Sequence, residues 1–505
     1  MFKQSHLFIA GGNYTETHNY RSAARQGVSL FICFVKAPLT PSESMEDGFE
    51  ILTTAASPSA FHDYYGHEFD VPRCHENTRS TVLEKLRIWV LEFKLTTIIM
   101  WLYGAAGAGK SAIARTMAEM LLSRGQLLAT FFFSRADSSR NHIKSVIATL
   151  AYSIALTIPE SRPLIVTTIE NDPHILKRPF AHQFKHLIIE PLQQLSRKGV
   201  TYPTIIVIDG LDECLNHEER STLLRAISTN AGNFFAPLKF LITSRPEVPI
   251  ARIFNASPVV GVSGRHSLDD EPSSIDDVGY FLSAKFDEIK QTHPLSRYIP
   301  HDWPLPEIKA TLVQKSSGQF IYPATVIRYI FSPRHNPGHR LDIVLKLRPL
   351  LGESPFAELD ALYRHILQSC DDTELALRII GTCLLSTRSM TSSWNITYRF
   401  PPETGSPKKI ESILRLLPGD VQRVLEDMGS LIEYKGDYEA LRVLHASLFD
   451  FLSDPSRSFD LQLDLASTYT DLAIWYSHPD PHQGCRLDSC HCDFVLGEFL
   501  LHSNY

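Results

Sequence analysis

One stretch constrains this chain more than any other: GAAGAGKS (104–111) closes the apolar run TTIIMWLYG (96–104) and opens the helical pattern AGKSAIARTMAEMLLSR. The octet satisfies G-x-x-x-x-G-K-[ST]. Its glycines let backbone N–H groups curl around an anion with no Cβ in the way, and the helix that follows turns its partial positive end to the same point. The pattern therefore demands a buried strand, a tight loop and a helix N-terminus in that order, a unit of a parallel α/β sheet. Gly104, Gly107, Gly109, Lys110, Ser111 and Ala112 are the expected phosphate contacts. Lys110 should reach the β/γ-phosphates of a nucleotide, and the Ser111 hydroxyl should ligate Mg²⁺.

The surrounding sequence supplies the rest of such a sheet. LLATFFFS (127–134), YPTIIVIDG (202–210) and LKFLITSR (238–245) read as further strands, and PVVGVSG (258–264) as a fifth. Helical patterns at 78–93, 140–157 and 181–199 alternate with them, which predicts an α/β doubly wound parallel sheet of P-loop NTPase type. Residues 1–60 read as a lead-in, with a hairpin around Gly-Gly-Asn in LFIAGGNYTETHNY and a Pro/Ser/acid-rich linker at 35–48. Past 61–265 comes a polar linker, GRHSLDDEPSS (264–274), and the chain turns helical. Two short β-like pieces inside GSLIEYKGDYEALRVLH (429–445), set among helices, suggest a winged-helix unit. The expected order is a sheet domain (61–265), a helical domain (266–350), a winged-helix-like domain (351–460) and a helical remnant (461–505). No repeat of 20–50 residues is visible.

The second chemical motif is IIVIDGLDEC (205–214). Asp209 ends an apolar strand, where it can hold Mg²⁺ through water. Asp212 or Glu213 can orient or activate an attacking water, although acids in this position also cap the next helix. Arg245 ends the next strand and can contact a γ-phosphate, as any strand-end Arg near the site can. Arg135 holds a similar strand end. From its residues alone, His445 in RVLHASLFDFL reads as a cap or a half-buried ring.

Composition excludes several classes. A net charge of −7 and the lack of a long Lys/Arg run argue against nucleic acid as a partner. The cysteines are mostly isolated, which suits reduced thiols; the cluster HQGCRLDSCHC (482–492) matches no common zinc spacing. GVSLFICFV (27–35) is about half the length a spanning helix needs, so no membrane is expected and a cytoplasmic location is the default.

Read together, these segments resemble the NACHT-type signal-transduction NTPases of the STAND class, in particular the fungal proteins with a nephrocystin-3-like nucleotide-binding domain. AFHDYYGHEFDVPRCHENTRSTVLEKLRIWV (60–90), WLYGAAGAGKSAIA, FFFSRADSSR, PTIIVIDGLDEC and FLITSRPE follow in that family's order. LVQKSSGQFIYPATVIRYI (312–330), ELDALYRHIL (358–367) and LHASLFDFLSDPSRS (444–458) resemble its helical and winged-helix parts. The resemblance implies an ATP/ADP switch with Mg²⁺: a closed ADP form, exchange to ATP, opening and self-association, with slow ATP hydrolysis as a timer. It makes Arg245 a γ-phosphate sensor and matches His445 to the histidine that contacts the ADP β-phosphate. It also sets Pro72 and Arg73 near the base. Such switches usually carry a C-terminal sensor array, which this sequence does not reach, and Pro323 predicts a break in a helix the family keeps whole. The alternatives are a scaffold that holds nucleotide without turnover and a ring-forming AAA-type motor; a nucleic-acid enzyme is the least favoured.

Overall fold

The computed structural model describes residues 7–10, 13–16, 41–64, 73–92, 97–135, 137–230, 238–271, 273–350, 356–386, 389–391, 397–399 and 402–477. It divides into two compact units, Met1–Ser44 and Met45–Tyr505. In the first, β1 (Leu7–Ala10) and β2 (Asn13–Glu16) pair antiparallel, Leu7 opposite Glu16. Helix α1 covers Pro41–Ala55, so the latter part of the expected linker at 35–48 is helical. Pro41 starts the helix where a missing N–H costs nothing. Further along α1, Phe49 stacks on Tyr152 and lies under the Arg162 guanidinium.

The sheet has five parallel strands: β3 (Ile99–Tyr103), β4 (Leu127–Phe132), β5 (Ile205–Asp209), β6 (Lys239–Ser244) and β7 (Ser263–Ser267), in the order β4-β5-β6-β3-β7. Leu102, Val207 and Leu241 pack on one face; Trp101, Ile208, Phe240 and Ile242 pack on the other. This period-two alternation of apolar residues on both sides is what a doubly wound sheet requires. Helices α2 (Ser80–Leu91) and α3 (Lys110–Ser123) contribute to the first core. Helices α4 (Val146–Thr157), α5 (Arg162–Asn171), α6 (Phe180–Phe184), α7 (Glu190–Arg197), α8 (His217–Thr229) and α9 (Val248–Asn255) contribute to the second.

Two local expectations are corrected. The stretch 181–199 is not one uniform helix: a wide turn at Lys185–Ile189 separates α6 from α7. Pro191 has no N–H for the carbonyl four residues back, which favours the wider turn. The fifth strand also lies later than 258–264. Val259–Val262 form a tight helical turn, and β7 begins at Ser263 and runs into the segment 264–274 read as a polar linker. β7 is an edge strand with half-exposed side chains, so it carries none of the apolar signal that marks the central strands.

The remaining described residues are mostly helical: α10 (Ser274–Thr292), α11 (Pro306–Ser316), α12 (Ile321–Ile330), α13 (Pro337–Lys346), α14 (Ala357–Gln368), α15 (Thr373–Ser386), α16 (Pro407–Leu414), α17 (Asp420–Leu425), α18 (Ala446–Ser453), α19 (Pro455–Ser458) and α20 (Leu465–Ser477). β8 (Ser389–Thr391) pairs with β9 (Thr397–Arg399), and β10 (Ile432–Glu433) with β11 (Arg442–Val443), both antiparallel. One hydrophobic core runs from Val278 to Leu472, across the boundaries drawn at 350 and 460. Pro323 breaks no helix. Ser317 and Gly318 adopt left-handed conformations after α11, and Pro323 then falls in the first turn of α12, where its N–H is not needed.

Ile321, the first residue of α12, packs directly on the glycine loop. Gly107 has φ +76°, and a Cβ added there would lie 2.1 Å from Ile321 Cγ2. Gly107→Ala should therefore strain the loop by about 1–2 kcal/mol and push α12 away. Hydrogen exchange over 321–330 is expected to speed up at least several-fold, and adding Ile321→Ala should recover only part of this, since the Cβ at position 321 would still lie 2.6 Å from the added atom. Unchanged exchange in Gly107→Ala would contradict this packing.

Candidate functional site

The register of the sheet builds the site. Tyr103 of β3 pairs with Ser244 of β6 and Ser267 of β7, and Asp209 of β5 pairs with Phe132 of β4. The carboxyl ends of β3, β5 and β6 thus emerge together, where open α/β sheets bind ligands. The loop 104–109 leaves β3 and enters α3 through Gly109, whose φ of +89° favours glycine. Asp269 receives the Ala105 N–H, and Arg79, buried, donates Nη2 to the Ala108 carbonyl at 2.9 Å. Arg79 also binds Ser274 and Asp277 of α10, so the loop is braced from both halves of the unit.

Lys110 donates to the carbonyls of Gly104 and Ala105, each at 2.8 Å. Burial pulls its pKa below the ordinary lysine value, with Asp212 opposing that shift. Ser111 hydrogen-bonds the Asp209 carboxylate, which also accepts from Thr243 Oγ1 at 2.5 Å. Asp209 is 3% exposed, and burial raises its pKa. Among the described residues no group of three or more His, Cys, Asp or Glu side chains is set to hold a metal. A Ser hydroxyl touching a carboxylate at a phosphate loop instead suits Mg²⁺, a hard ion that takes few protein oxygens and completes its shell with phosphate and water.

The acid cluster after β5 is divided by its partners. Asp212 is buried and bound by Arg245 twice, from the backbone N–H at 3.0 Å and from Nε at 3.2 Å. Arg245 also reaches Asp450 of α18, Nη1 to Oδ2, at 2.6 Å. Burial pulls the Arg245 pKa down, but Asp450 and Asp212 outweigh it and hold the group above its ordinary value. Among the described residues Glu213 forms no ion pair: one oxygen accepts the Arg135 N–H at 3.0 Å, and burial followed by the Asp212 charge pushes its pKa up to about 7, with Arg245 opposing the shift. The Arg135 guanidinium contacts the Asp212 carbonyl and lies 3.9 Å from Asp450. His445 is the N-cap residue of α18, and its Nε2 lies 3.0 Å from Arg328 Nη1.

These groups share one cleft of about 940 Å³. Gly107, Gly109, Lys110, Ser111, Ala112, Asp212, Glu213, Arg245 and His445 line it; Gly104 and Asp209 sit behind this lining, joined to it by Lys110 and Ser111. Arg73 lines it too, whereas Pro72 and the Cys-rich stretch 482–492 lie outside the described residues. Sequence reasoning missed Arg79, Asp269, Arg328 and Asp450. Two of these left a signal, since Arg328 in VIRYIF and Asp450 in LFDFL are single charges within apolar helical runs. Arg79 and Asp269 sit in polar segments and left none.

No helix among the described residues is long and apolar enough to cross a membrane. The family described as "Nephrocystin 3, N-terminal" matches residues 78–245, about a third of the chain and the part that holds the loop, Asp209 and Arg245. No curated protein matches. Among solved structures, the Aeropyrum pernix ORC2 protein aligns at 12% identity and TM-score 0.37, over 76% of this chain and 94% of its own. The Aeropyrum pernix ORC1 protein in complex with DNA aligns at 12% and 0.33, over 77% and 95%. Cdc6p from Pyrobaculum aerophilum aligns at 12% and 0.31, over 76% and 93%. The loop, the strand-end aspartate and the sheet order make this a P-loop NTPase fold with a nucleotide-binding site.

Proposed function

We propose that this chain is a nucleotide-dependent signal-transduction switch that binds ATP or ADP with Mg²⁺ and hydrolyses ATP slowly. The observation that carries the reading is Arg245, whose guanidinium joins Asp212 at the sheet edge to Asp450 on α18. A γ-phosphate arriving at the end of β6 competes for that guanidinium. Each nucleotide state then sets how firmly α18 is held against the sheet, which is the coupling a switch needs.

The residues take these roles in the proposal. The loop N–H groups and Lys110 bind the phosphates, and the Lys110 ammonium exchanges its two carbonyl partners for phosphate oxygens. Ser111 and Asp209 hold Mg²⁺, which supplies charge neutralisation on the phosphates when bound. Glu213 orients a water and accepts its proton, Asp212 positions Arg245, and His445 meets the phosphate tail from the α18 side. The opposing reading, a scaffold that holds nucleotide without turnover, draws on the same Glu213: a carboxyl with a pKa near 7 is partly protonated at neutral pH and is then no base.

Three measurements separate these readings. Lys110→Ala should abolish nucleotide binding in calorimetry, and tight ATP binding by that variant would remove the phosphate role of the loop. Single-turnover phosphate release should rise as pH increases through about 7, because Glu213 acts as a base only once deprotonated; Glu213→Gln should lose both the release and its pH dependence. Steady release from Glu213→Gln would exclude Glu213 as the base. Asp450→Asn leaves Arg245 one carboxylate instead of two and should speed ADP dissociation about tenfold, the effect of weakening a half-buried ion pair by about 1–2 kcal/mol. An unchanged dissociation rate would count against the coupling.

A further inference from the structure

Arg328 and His445 meet in a way that phosphate binding alone does not require. Arg328 lies within α12 and His445 at the start of α18, yet Nη1 and Nε2 are 3.0 Å apart on the wall of the same cleft as Lys110 and Arg245. A guanidinium carries only N–H groups and accepts nothing. Nε2 must therefore be the acceptor, through its lone pair, and the ring's single proton must sit on Nδ1. A proton on Nε2 would break this bond and set two donors face to face.

The charges around the ring point the same way. Arg328 approaches from α12 and Arg442 from β11, while Glu433 of β10 lies 3.6 Å from Arg442 and offsets that arginine. Burial, then Arg328 and Arg442, push the His445 pKa down to about 3.

We propose that Arg328 is a positioning residue that holds His445 as the neutral Nδ1–H tautomer, so that the α18 side presents one fixed, neutral N–H donor to the phosphate tail of a bound nucleotide. The inference rests on the reading that His445 faces such a phosphate. One consequence is that His445 itself adds no pH dependence to nucleotide retention between about pH 5.5 and 8, because this histidine does not charge in that range.

The test uses the full chain with ¹⁵N-labelled histidine, His445 being assigned by comparison with His445→Gln. Long-range ¹H–¹⁵N correlations should show Nδ1 protonated, Nε2 unprotonated, and no titration between pH 5.5 and 8. Arg328→Met should bring in the Nε2–H tautomer and speed release of a fluorescent ADP analogue about tenfold, the loss expected for a charge-assisted hydrogen bond. Arg328→Lys keeps a donor and a charge, and should keep the parent tautomer. An Nε2–H signal in the parent chain, or an unchanged tautomer in Arg328→Met, overturns the role of Arg328 while nucleotide binding stands. A chain with the expected tautomer that takes up no nucleotide overturns the nucleotide reading, and this role with it.

Discussion

Arg245 carries a single guanidinium between two carboxylates that belong to distant parts of the chain. Asp212 follows β5 and is buried at the sheet edge, whereas Asp450 lies on α18, more than two hundred residues further along. Neither carboxylate could be half-buried at this depth without a cation, since a buried unpaired charge costs several kcal/mol. Arg245 pairs with both, with Arg135 3.9 Å from Asp450 as a second cation, and so ties the α10–α20 half to the carboxyl edge of the sheet. Ile321 on Gly107 and the Arg79 bonds to Ala108, Ser274 and Asp277 hold the same junction from the glycine-loop side. The cleft exists because these contacts keep the two halves together.

The proposed switch draws on this arrangement. Apolar packing of Ile321 on the loop is indifferent to phosphate, but the Arg245 pairs and the Lys110 contacts to Gly104 and Ala105 are made by the very cations a phosphate would recruit. Any γ-phosphate interaction with Arg245 is gained at the expense of its hold on Asp450. A few kcal/mol of such competition is the scale on which two-state proteins shift their populations. Glu213 stands apart from this exchange, with a backbone N–H in place of a cation as its partner, and so keeps a proton affinity near neutrality.

Much of the sheet could be read from the sequence because its central strands are buried on both faces. IIVI and FLI are continuous apolar runs, and the Gly-rich octet between β3 and α3 allows only one kind of turn. β7 escaped because an edge strand needs no apolar run, and the helical start at Pro41 escaped because helix-starting residues also compose linkers. At the site, Lys110 and Ser111 were legible since they sit at fixed offsets within the glycine-rich motif, and Asp209 since it ends the apolar strand of a second motif. Arg328, Asp450 and Asp269 reach the site through tertiary packing, and no local spacing encodes a contact across a hundred residues or more. The pairing of Arg245 with Asp212 and Asp450 was hidden for the same reason: strand ends announce a charged residue but not its partners.

The central claim is that the junction holds a nucleotide and changes with its phosphate count. The most direct measurement is to denature the purified chain before any nucleotide is added, then identify and quantify what is released. The account predicts close to one equivalent of ADP, retained beneath α18 by the closed junction. A chain that releases nothing and also fails to take up ATP with Mg²⁺ would contradict it.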